Sequence, residues 1–235
     1  MGNMRFTVLT LVLALGCTAL GAASDKDKGK NAERWTEASD LFTEIMGTPD
    51  KAIPADLLEK AHCMVIVPSL KKAAFGIGGK YGRGFVLCRK GAGHLGWGPP
   101  AAIRIEGGGV GFQIGVSSTD VIMLVMNERG MKKLSSSKFT LGADATATAG
   151  PVGRNASAQT DAYMHAEILS WSRSKGLFAG VSLDGATLRN DLDENEIMYG
   201  QRWESKQILG SGAKPPEAAS KLITQLNKYS PRESK

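Results

Sequence analysis

Two long runs of β-type residues are interrupted by glycine at close spacing. The first is "IVPSLKKAAFGIGGKYGRGFVLCR" at 66–89, and the second is "IRIEGGGVGFQIGVSSTDVIMLVMN" at 103–127. A helix interior loses about 1 kcal/mol for each glycine replacing alanine, so neither run is a plausible helix. In extended chain, glycine instead permits bulges, sharp corners and close backbone approach. The chain carries 29 glycines in 235 residues without a G-x-y period, which excludes a collagen-like rod.

The hydrophobic period supports sheet around these runs. "CMVIVP" predicts a compact strand, and "AAFGIGG" with "GRGFVLCR" predicts a hairpin turning at Lys80 and Tyr81. The apolar run 121–126 reads as a strand covered on both faces. Further strands fit "FTLGADATATAGP", "AEILSWSRS" and "GLFAGVSLDG". Helical spacing is confined to the two ends. Trp35, Ala38, Leu41, Phe42, Ile45 and Met46 recur at three- and four-residue steps, "PADLLEKAH" follows, and helical pattern returns at 193–199 and 217–229. "ERGMKKLSS" suits a short helix between strands. Regular βαβ alternation is absent. The expected fold is therefore α+β: one glycine-rich, mostly antiparallel β domain, barrel- or sandwich-like, with helices near both ends.

The first residues, "MGNMRFTVLTLVLALGCTALGAAS", combine an early Arg5, an apolar run from Phe6 to Leu15 and small residues beyond. That pattern predicts an export signal over 1–23, with periplasmic delivery. "LALGC" resembles a lipobox that would make Cys17 a lipidation site and anchor the protein at the outer membrane, while cleavage near Gly21 or Ala23 is the alternative. Residues 24–31, "SDKDKGKN", read as a charged tether. The folded domain is expected over 32–229, with 230–235 as a tail. Cys63 and Cys88 lie beside strand-like runs. In an oxidising compartment they form either a disulfide or two buried thiols, and neither has the neighbours of a four-ligand metal site.

Nucleotide motifs fail on their spacing. Gly76 and Gly78 begin a G-x-G-x-x-G pattern, but Tyr81 occupies its last position and strand follows instead of helix. Gly79-Lys80 lacks the hydroxyl residue of a P-loop. Catalytic constellations are missing too: His62, His94 and His165 lie in unrelated contexts, with no H-E-x-x-H or G-x-S-x-G. No catalytic residue, metal site or cofactor is assigned. Asp120, Asp144 and Asp161 sit beside small or hydroxylated residues, where carboxylates cap turns or accept backbone N–H groups. A shared calcium ion would require them to converge with Glu167, and their spacing is not that of an EF-hand. Arg154 and Arg173 are expected to pair with carboxylates and fix the glycine-rich strands.

The formal charge is +6, which favours anionic partners. Lys71, Lys72, Lys80 and Arg83 surround Gly76, Gly78, Gly82 and Gly84, so a turn there would gather cationic groups around exposed backbone N–H groups. Nucleic acid is not an expected partner, because the basic groups are not interleaved with exposed-looking aromatics.

Four blocks in series carry a family resemblance: "IVPSLKKAAFGIGGKYGRG", "IRIEGGGVGFQIGVSSTDVIMLVMN", "KFTLGADATATAGPVGR" and "SRSKGLFAGVSLDGATL". Together they resemble the SYLF lipid-binding family, also known as DUF500 or the yeast actin-patch-type actin-binding domain, over roughly 55–188. The resemblance implies a non-enzymatic module that binds membranes. Eukaryotic relatives are linked to phosphoinositides and actin, partners that an exported protein would not meet. It places lipid contact on the basic loop at Lys71, Lys72 and Lys80, with Arg83 beside it, and on the helix bearing Trp35 and Phe42. The same helical periodicity serves packing on the core equally well. A structural or protein-interaction domain of the cell envelope is the alternative function, with an envelope protein as partner.

Overall fold

The computed structural model describes residues 24–48, 53–90, 95–153, 163, 166–174 and 176–230, with backbone only at 76–77, 95 and 109–114. Helices α1 (Asp25–Met46) and α2 (Ala55–Lys60) precede the long strands β1 (Cys63–Lys90) and β3 (Ala101–Val125), which flank the short β2 (Leu95–Trp97). Helix α3 (Glu128–Leu134) leads into β4 (Lys138–Thr140), β5 (Ala147–Ala149), β6 (Ile168–Ser174), β7 (Leu177–Gly180) and β8 (Thr187–Asn190). Helices α4 (Leu192–Tyr199), α5 (Ser205–Leu209) and α6 (Ser220–Tyr229) close the chain. The fold is the expected α+β type, a mostly antiparallel sheet curled into a half-barrel.

β1 and β3 form one antiparallel ladder from Cys63↔Val125 to Val86↔Ala101. The other edge of β3 is shared: its first part pairs with β8 and its last part with β6. β8 continues to β4, while β6 takes β7 and, in parallel, β5.

The predicted turn at Lys80 and Tyr81 does not occur. Both residues lie within β1, opposite Gly107 and Glu106 of β3, and the β1–β3 reversal falls after Lys90. What the glycines permit is a strand that doubles back. A 28-residue strand drawn straight would span about 90 Å. In the fold Cys63 and Cys88 are disulfide-bonded with their Cα atoms 4.0 Å apart, and Arg89 N–H donates to the His62 carbonyl at 2.9 Å. The close approach depends on Gly84, where an added Cβ would lie 2.1 Å from the Ile66 carbonyl oxygen. Gly82 is similarly placed over Leu70 and Val67.

Strand alternation then yields two cores. Met64, Ile66, Phe85, Leu87, Ile122, Leu124 and Trp171 face α1, α2 and α6. Val65, Val67, Val86, Ile103, Ile105, Val121 and Met123 join Phe139 and Leu188 within the curl. The central stretch 121–126 is buried on both faces.

Helix α1 begins at Asp25, capped by Ser24, so residues 25–31 are helical where the charge pattern predicts a tether. Asn31 explains part of this, because its side-chain amide donates to Glu194 of α4 across the fold at 2.7 Å.

Candidate functional site

Between its two packed ends, the β1–β3 ladder becomes a two-stranded ribbon that pairs with no third strand among the described residues. β1 residues 70–80 face β3 residues 107–119, and the register jumps from Phe75↔Ile114 to Ile77↔Val110. At the ribbon's entry a second irregularity falls between Val67 and Leu70. There Ser69 adopts a left-handed φ of 56°, costly for a non-glycine residue, and its N–H donates to Asp120 at 2.9 Å. The other Asp120 oxygen pairs with Arg173 at 2.7 Å, and Arg173 also reaches Glu44 of α1. Asp120 thus joins the bulge, β6 and the first helix. Asp144 accepts from Thr140 N–H at 2.7 Å and shapes the turn after β4.

The ribbon places two large apolar side chains in solvent. Phe75 and Val116 are each 82% exposed. In the ladder, Lys71↔Ser118 and Ala73↔Val116 set Lys71, Phe75 and Val116 on one ribbon face. Lys72 lies on the other. Lys80 is half-buried, its stem lying against Gly107 and its ammonium donating to the Asp184 carbonyl at 3.4 Å. Burial, followed by the nearby Lys72 charge, lowers the Lys80 pKa. The fold therefore brings Lys72 and Lys80 together and sets Lys71 beside the apolar pair.

The remaining residues expected at a lipid contact are placed elsewhere. Trp35 and Phe42 are buried, and Trp35 stacks on Phe85 with ring centroids 3.4 Å apart. Their periodicity serves the core, so neither is a surface contact. Arg83 is turned away from the ribbon: its guanidinium pairs with Asp191 at 2.8 Å and Glu194 at 3.0 Å, and Glu194 also receives Arg34. Burial raises the Asp191 pKa although Arg83 opposes the shift, while Arg83, itself partly desolvated, is held above its usual pKa by these anions. Arg83 is a structural ion-pair partner of α4, sharing Glu194 with Arg34 of α1, a correction to its placement in the basic loop. Gly78, Gly82 and Gly84 line the doubled strand, as does the backbone of Gly76. Cys17, His94, Arg154, Asp161 and His165 lie outside the described residues.

Sequence pattern misses Phe75 and Val116, because an alternating strand residue is normally assigned to a core. Their exposure goes with a stretch of ladder that takes no third strand among the described residues, a tertiary property. Among the described residues no cluster of three or more His, Cys, Asp or Glu groups is arranged to hold a metal ion, and no helix is long and apolar enough to cross a membrane.

These features define a curled half-barrel α+β domain whose distinctive element is a glycine-jointed ribbon. A family profile described as "Ysc84: Las17-binding protein actin regulator" matches residues 106–229, and the chain belongs to this family, the one its sequence blocks resemble. It is 34% identical over 180 residues to "LAS seventeen-binding protein 3" of Saccharomyces cerevisiae, covering 75% of this chain and 39% of that protein. It is also 34% identical over 191 residues to "SH3 domain-containing YSC84-like protein 1" of Homo sapiens, covering 80% of this chain and 55% of that one. The chain thus spans about half or less of the length of these relatives.

Proposed function

We propose that the protein is a non-enzymatic peripheral membrane or envelope module that binds anionic phospholipid headgroups through the β1–β3 ribbon. The carrying observation is the exposure of Phe75 and Val116 on the same ribbon face as Lys71. Two exposed apolar groups on one ribbon face suit shallow entry into the headgroup boundary, while Lys71, Lys72 and Lys80 lie on β1, the strand that carries Phe75. Each basic group near an anionic surface contributes about 1 kcal/mol, so attachment through this ribbon alone is reversible and sensitive to salt. The Cys63–Cys88 disulfide favours an oxidising compartment. We therefore retain export to the periplasm in the proposal, with lipidation at Cys17 as an additional anchor.

Vesicle co-sedimentation tests the reading. Wild-type protein is expected to pellet with phosphatidylglycerol vesicles more than with phosphatidylcholine vesicles, and Lys71→Glu with Lys72→Glu to abolish the difference. Equal pelleting of wild type with both vesicles rejects charge-directed binding. Intact mass of protein recovered from membranes tests Cys17, since a plain cleaved terminus excludes the lipid anchor.

The second reading is a protein-interaction domain. It is favoured by the names of the family and its yeast relative, which specify a protein partner. On that reading the same ribbon captures an envelope protein, and binding is independent of vesicle composition.

A further inference from the structure

A second cationic feature lies on the half-barrel wall. Four strands place basic residues directly opposite one another: Arg83↔Arg104 across β1 and β3, Arg104↔Arg189 across β3 and β8, and Lys138↔Arg189 across β4 and β8. Residues in register share a sheet face, and directly opposed like charges destabilise a sheet. The neighbouring positions Ile103, Ile105, Leu188 and Phe139 point inward and are buried, so this row occupies the outer face.

The compensating anions are unequally distributed. Arg83 has Asp191 and Glu194. Arg104 and Arg189 share Glu106: Arg104 Nε lies 2.7 Å from one carboxylate oxygen, Arg189 Nε lies 3.0 Å from the other, and Arg104 is also within electrostatic reach of Asp191. The Nε atoms of Arg104 and Arg189 are buried without a hydrogen-bond partner, while each side chain as a whole is about one-third exposed. Lys138 is exposed. One carboxylate thus serves two guanidinium groups with an ammonium in the next strand. Beside this row, on the same face, the Thr140 and Thr187 hydroxyls lie 3.1 Å apart.

We propose that Arg104, Arg189 and Lys138 form an oxyanion site for a phosphate-type group, separate from the membrane ribbon. Two planar guanidinium forks on neighbouring strands, both beside one carboxylate, can straddle tetrahedral oxygens, while Lys138 supplies a mobile charge. Thr140 and Thr187 provide hydroxyl donors at the margin. Bound anion relieves the opposition of like charges across β3, β8 and β4. The shared chemistry is that of a phosphate ester, whether free in solution or carried on a lipid headgroup.

Calorimetric titration of the full chain with inorganic pyrophosphate, at constant ionic strength, tests the site. Wild type is expected to bind, and Arg104→Gln with Arg189→Gln to weaken binding at least roughly tenfold, as loss of charge-assisted hydrogen bonds requires. Arg189→Lys keeps the charge but removes the fork; it is expected to weaken binding and serves if the double variant misfolds. Lys71→Gln with Lys72→Gln should leave the titration unchanged, which separates this site from the ribbon. No binding by wild type, or equal binding by the Arg104/Arg189 variants, overturns the proposal. In a second arm, wild type is bound to phosphatidic acid vesicles and challenged with pyrophosphate. Release that requires Arg104 and Arg189 supports the site with a lipid-borne source; retention alongside positive solution titration supports it with a soluble phosphate ester.

Discussion

Cys63 and Cys88, near opposite ends of the same strand, are joined by a disulfide across 25 intervening sequence steps. The bond fixes the doubled form of β1, on which both cores are built. Removing it with Cys63→Ala and Cys88→Ala is expected to lower stability by about 3 kcal/mol through the unfolded-chain entropy of the closed loop. Denaturant titration of oxidised wild type against the variant measures the difference, and equal midpoints would show that packing alone holds the strand ends.

Gly84 makes that doubling sterically possible. Gly84→Ala would drive a methyl group against the Ile66 carbonyl, a backbone atom with no rotamer through which to escape. We expect a loss of about 3 kcal/mol or more, or failure to fold. Gly185→Ala provides a comparison at a glycine with open space but positive φ, where conformational strain is the expected cause of any loss.

Glu194 receives Arg34 from α1 and Arg83 from β1, and is buried. Glu194→Gln leaves two guanidinium groups short of an anion in a partly dry site, with an expected cost of about 3 kcal/mol. Because Asn31 also donates to Glu194, hydrogen exchange should accelerate in the first turns of α1 more than in β3. Uniform acceleration would show that the network supports the whole fold and not the helix in particular.

Glu167 supplies an acid-sensitive contribution. Burial would raise its pKa, but the Thr146 N–H, Lys133 and Arg129 together hold it below the ordinary value of 4.5. Since folding lowers this carboxyl's pKa, its stabilisation is present above the unfolded value and is lost as pH falls from about 4.5 through the folded value. The stability gap between wild type and Glu167→Gln should narrow over that acid range. A gap constant from neutral pH to acid would reject the charged role.

Phe75 contributes little to either core. Phe75→Ser is expected to change stability by no more than about 0.5 kcal/mol. Anionic-vesicle binding should nevertheless weaken roughly tenfold or more if its ring enters the boundary region. Unchanged vesicle binding would move the proposed contact away from the ribbon.

The division between legible and illegible features follows the range of the forces. The α+β class, the doubly covered 121–126 strand and the amphipathic face of α1 were readable because each is a local period of apolar residues. The hairpin at Lys80 and Tyr81 was misplaced because glycine signals a corner without saying which strand fills it. Helix at 25–31 was masked by charge, and its anchors, Glu194 with Asn31 and Arg34, lie some 160 positions apart. Arg83 looked like its lysine neighbours until Asp191 and Glu194 were brought to it.

By itself the sequence determined that glycine-broken strands would build a mostly antiparallel sheet with helices at its ends, because backbone freedom and side-chain period act between near neighbours. Only the tertiary structure decided which charges are spent inside and which apolar groups are left outside. That choice depends on which distant elements meet: Arg83 gains its carboxylates from α4, whereas Phe75 and Val116 are left exposed on the ribbon.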